Sequence, residues 1–74
     1  MWNLWVVDSF HQPLASGACC DSQVKAYVRA GKFLIASGSR LEDLQLERCE
    51  VFGEKTLLIK DPAKDWGIAT LEAT

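Results

Sequence analysis

The chain has 74 residues, 49% of them hydrophobic and 24% charged, with eight Lys and Arg against ten Asp and Glu and a net charge of −2. That length makes a single domain, residues 1–74, small enough that its stability leans on extra contacts such as a partner subunit. The composition is too apolar for disorder, and the slightly acidic balance excludes a protein built mainly to hold nucleic-acid phosphates.

The first predicted element is Trp2–Ser9. Trp2, Leu4 and Val6 alternate with Trp5 and Val7, and both faces are largely apolar. A strand with two apolar faces is covered on both sides, whereas a half-buried one has a polar face. The stretch His11–Gly17 holds a Pro, a Ser and a Gly and reads as a loop. Asp21 or Ser22 then caps a helix of about residues 22–30, with Val24, Tyr27 and Val28 on one face, and Gly31 ends it.

Lys32–Gly38 reads as a buried strand, because Phe33, Leu34 and Ile35 follow the helix stop directly. Ser39 and Glu42 have capping-box spacing, so a helical turn begins there, followed by a strand with a bulge. A longer helix over 40–49 is the alternative. Gly53-Glu54 fits a type II′ hairpin turn, Thr56–Lys60 is the next strand, and residues 66–71 form a last short one. The sum is a small α+β domain: a mostly antiparallel sheet of three to five strands with one main helix packed on one face.

One short helix covers little of such a sheet, which leaves Trp2, Trp5, Phe52 and Trp66 as candidates for an apolar interface. Trp is enriched among residues that dominate binding energy. The leading expectation is therefore a small non-enzymatic interaction or regulatory domain that forms a homodimer or binds another protein. The alternative is a small enzyme or ligand-binding protein with a site after the first strand. Asp8, His11, Cys19 and Cys20 supply the residue types for a thiol nucleophile with a base and an orienting group. A second alternative is weak nucleic-acid binding through Lys25, Arg29, Lys32 and Arg40.

No cofactor or metal is expected. His11, Cys19, Cys20 and Cys49 lack the paired spacing of zinc ligands. Cys20 and Cys49 read instead as small core residues. An odd cysteine count without a secretory leader points to reduced thiols in the cytoplasm of the producing or host cell. No apolar run approaches the roughly 20 residues of a membrane span.

Overall fold

The computed structural model describes residues 1–73. Five strands and one long helix follow in chain order: β1 (Trp2–Asp8), β2 (Pro13–Cys20), α1 (Gln23–Ala36), a 3-10 turn (Leu41–Asp43), β3 (Gln45–Val51), β4 (Glu54–Lys60) and β5 (Trp66–Glu72). The strands form one antiparallel sheet in the order β2-β1-β5-β4-β3, and α1 packs on one face of it. This is the expected α+β arrangement.

The helix is longer than its sequence implies. Ser22 is the N-cap, its hydroxyl accepting from the Lys25 amide at 3.2 Å. The stop is Gly38, in the left-handed region at φ 100°, and not Gly31. The Ser39 amide donates to the Leu34 carbonyl and the Gly38 amide to the Ile35 carbonyl, which together make a Schellman closure. Lys32–Ala36 is therefore the last part of α1, and the strand expected there does not form. Gly31 is buried inside the helix, where a Cβ would sit 3.8 Å from both Ile59 and Leu44.

The buried stripe of α1 is Ala26, Ala30, Gly31 and Leu34. Small side chains let the helix lie close to the sheet. Val24 and Val28, expected on the inner face with Tyr27, point outward at 72% and 53% exposure. Tyr27 is half-buried and its hydroxyl accepts from the Gln23 amide group. Leu4, Cys20 and Ile68 complete the core beneath α1, with Trp2, Val6 and Trp66 at its margin.

Residues 13–17, expected as loop, are the first part of β2. Two register shifts place an extra β2 residue against β1, between Asn3 and Trp5 and between Val6 and Val7. Such bulges sharpen the local twist. At the other edge the β3–β4 ladder runs without a break, so the bulge expected in β3 is absent. Residues 40–49 hold the short helical turn and then strand, but Arg40 and not Ser39 stands at the N-cap of that turn. The β3–β4 loop is Phe52-Gly53, one residue earlier than expected. Both residues have positive φ, 54° and 77°, which is the type I′ pattern.

The sheet face away from α1 is not open. Val7, Cys49, Val51, Leu58, Ala69 and Leu71 form a second buried cluster with Trp5 against it. The sheet closes over itself to cover them. β4 pairs with β5 only through Leu58–Lys60, and its first half is tied to β5 instead by the Thr56 hydroxyl, which donates to the Thr70 carbonyl at 2.6 Å. Gly67 permits the tight crossing, since a Cβ there would lie 2.6 Å from Leu58 Cδ1 and 3.1 Å from the Ile59 carbonyl oxygen. Both faces of β1 are thus covered by the chain itself.

Candidate functional site

The polar cluster named after the first strand does not assemble. Asp8 closes the β1–β2 turn, its Oδ1 accepting from the amides of Phe10 at 2.8 Å and Gln12 at 3.0 Å. His11 follows in that turn with φ 62° and faces a shallow hollow shared with Arg48, Glu50 and Thr56. Cys19 pairs with Asn3 at the other end of the hairpin. Asn3 and Asp8 are five residue steps apart along β1, or about 16 Å. One catalytic group cannot be built from the four.

All three cysteines are free. Cys19 is exposed, while Cys20 and Cys49 are buried, one in each core cluster. Burial and then the Glu47 carboxylate push the Cys49 thiol up, away from a reactive thiolate. Among the described residues no three His, Cys, Asp or Glu side chains converge as a metal site. No helix among them is long and apolar enough to cross a membrane.

The aromatic candidates divide between the two cores. Trp2 and Trp66 border the cluster under α1 and Trp5 borders the second one, each half-buried. Phe52 is exposed but sets its ring against Trp5. Trp66 meets Phe33 edge to face at 5.9 Å between centroids, and the Lys64 ammonium lies 5.8 Å over its ring. Lys64 also donates to the Ser37 carbonyl at the helix end, where a cation is favoured.

An apolar hollow lies between α1 and β2. A groove of about 230 Å³ runs between them over Leu4, Val6, Gly17, Ala18, Phe33 and Ile68, with Arg29 at its rim. A second hollow continues it past Leu14 and Trp66, with Asp8 and Asp65 also in its lining. Leu14 and Phe33 flank these openings at 61% and 51% exposure. α1 covers the Cys20 end of β2, and the groove opens farther along, where Gly17 and Ala18 have no large side chain to fill the space below Phe33. Reading Lys32–Gly38 as a strand hid Phe33 from this surface. The spacing of Ala26, Ala30 and Leu34, four residues apart, was the signal that continued the helix and placed Phe33 outside.

The basic candidates separate into three and one. Lys25, Arg29 and Lys32 line a hollow with Met1, Cys19, Val24 and Val28, next to the apolar groove. Lys25 pairs with Asp21 at 3.0 Å, and neither Arg29 nor Lys32 has a carboxylate partner among the described residues. Arg40 lies past the end of α1 and pairs with Asp43 at 3.1 Å and Glu42 at 3.7 Å.

Compared with known protein families, curated protein sequences and solved structures, the chain matches none of them.

Proposed function

We propose that this chain is a small non-enzymatic protein-interaction domain whose contact surface is the side formed by α1 and β2. The observation that carries this reading is the solvent-open apolar groove flanked by Leu14 and Phe33. Exposed apolar surface of this kind, gathered at one place and rimmed by charge, is characteristic of contact sites.

The two sheet edges support the choice of side. β3 carries Glu47, Arg48 and Glu50, charges that discourage pairing with another strand. β2 carries no charged residue over its eight positions, and five of them are exposed. Its outward backbone groups have no neighbouring strand. The apolar groove lies directly beside this uncharged edge. Trp66 takes part at the groove's end, while Trp2 and Trp5 serve mainly the chain's own cores.

Site-specific photo-crosslinking in producing cells tests this. A photoreactive side chain at position 14 or 33 gives a discrete protein adduct, and the same group at position 47 gives none. Adducts confined to position 47, or none at 14 and 33, overturn the reading.

A further inference from the structure

The helix rim of the α1–β2 side has a sign as well as a hydrophobic surface. Residues 23–40 contain Lys25, Arg29, Lys32 and Arg40 and no acidic residue. Residues 41–54 contain Glu42, Asp43, Glu47, Glu50 and Glu54 against Arg48 alone. In space the second group sits toward β3, at the opposite edge of the sheet from β2. The groove therefore has a cationic end, at Arg29 with Lys32 in the adjoining hollow, and an acidic end where Asp8 and Asp65 line its continuation.

We propose that the occupant of this groove is a segment of another protein in which acidic side chains flank apolar ones. The inference rests on the α1–β2 side being the contact surface. The apolar side chains of the segment enter between Phe33, Val6 and Ile68, and its carboxylates meet Arg29 and Lys32. Complementary charge of this kind selects the partner and speeds its capture.

A second copy of the chain fits less well. A two-fold axis beside β2 brings the two α1 helices together on the same sheet face, so Lys25, Arg29 and Lys32 of each copy confront the same cations of the other. Such like-charge juxtaposition is unfavourable. Pairing the cationic side with the acidic β3 edge of another copy is heterologous and generates open chains unless the rotation closes. A lipid surface cannot supply the backbone partners that the free β2 edge offers. Phe33 offers a single exposed ring beside Arg29, whereas single-strand binders stack successive bases on several.

The test uses the whole protein, isotope-labelled, with two short synthetic peptides: one alternates Glu with Leu and Val, the other has Lys in place of Glu. The acidic peptide shifts the amide signals of Gly17, Ala18, Arg29 and Phe33, and added salt weakens it. Replacing both exposed cations, Arg29→Glu with Lys32→Glu, weakens it about tenfold or more and lets the basic peptide bind instead. Equal, salt-insensitive binding of both peptides overturns the acidic partner and leaves the apolar contact surface standing. Failure of both peptides to bind overturns the acidic segment, while the crosslinks at 14 and 33 judge the surface separately. Tighter binding of oligo-deoxythymidine or phosphatidylglycerol vesicles at these amides overturns it in favour of nucleic acid or lipid. A dimer in native mass spectrometry with these amides at its interface overturns it in favour of a second copy.

Discussion

Trp5 in β1 and Phe52 in the β3–β4 turn meet edge to face, their centroids 5.0 Å apart and their planes at 79°. β5 and β4 lie between their strands in the sheet. A flat sheet would hold β1 and β3 about 14 Å apart. The contact therefore marks how far the sheet closes over its second core.

Phe52 holds this contact from a left-handed backbone position, φ 54°, that suits Asn or Gly better. Phe52→Ala removes the ring pair and keeps the strain, lowering stability by about 1 kcal/mol. Phe52→Asn also loses the ring but suits the turn, so it costs less. Urea unfolding of the two variants gives the order, and an Asn variant weaker than the Ala variant contradicts it.

Two glycines respond oppositely to one added methyl group. At Gly31 the new Cβ makes ordinary contacts inside α1, so Gly31→Ala gains helix propensity and stabilises by about 0.5–1 kcal/mol. At Gly67 the same carbon overlaps Leu58, and Gly67→Ala destabilises by about 1–3 kcal/mol. Thermal unfolding separates them: the melting temperature rises for the first and falls for the second.

Asp61 couples folding to acid. Its carboxylate accepts from the Ala63 amide at 3.0 Å. The buried Ser39 hydroxyl makes no geometrically complete hydrogen bond, yet it also favours the ionised form. The Ala63 hydrogen bond foremost, and the nearby Ser39 hydroxyl after it, hold the Asp61 carboxyl below its ordinary range. A folded-state pKa below the unfolded one contributes stability that is present above the unfolded value, about 3.9, and is lost as pH falls through the folded value. Asp61→Asn removes that part of the acid sensitivity. Parallel loss of stability in both proteins from pH 6 to pH 3, followed by urea midpoints, would show that the carboxylate contributes nothing.

The three thiols differ in access. Cys19 reacts promptly with a disulfide reagent in the native protein, and Cys20 and Cys49 react only on unfolding. Because the Cys49 thiol is pushed up in the folded state, its contribution is complete below the unfolded value and declines as pH rises through the folded one. Cys49→Ala therefore flattens the alkaline loss of stability. Prompt labelling of two thiols at neutral pH contradicts the assignment.

What the sequence made legible follows how strongly each element speaks locally. The doubly apolar run of β1, the Ser22 cap and the β3–β4 hairpin were readable because their patterns coincide with their environments. β2 was not: its Pro, Ser, Gly and Ala favour loops, and only pairing with β1 makes the segment a strand. Gly31 misled because a Gly after a helical run commonly ends it, whereas this one lies buried inside α1, facing Ile59 and Leu44. That single reading turned the last turns of α1 into a strand and moved Phe33 inward. The closure of the sheet was also hidden, since it depends on Gly67 passing Leu58, a relationship between residues on different strands. The polar residues Asp8, His11, Cys19 and Cys20 are near in sequence, but a hairpin sends its two ends apart.

Ile68 lines the groove beside α1, and Ala69, next along β5, is wholly enclosed in the second core. The groove floor and the far core thus share one strand of backbone. A shift of Ile68 under an occupant would reach Ala69, the next residue, which is wholly enclosed. Trp5, which pairs with Ala69 across β1–β5, then registers the event from the opposite face. The chain carries within it a fluorescent reporter for a surface it does not touch.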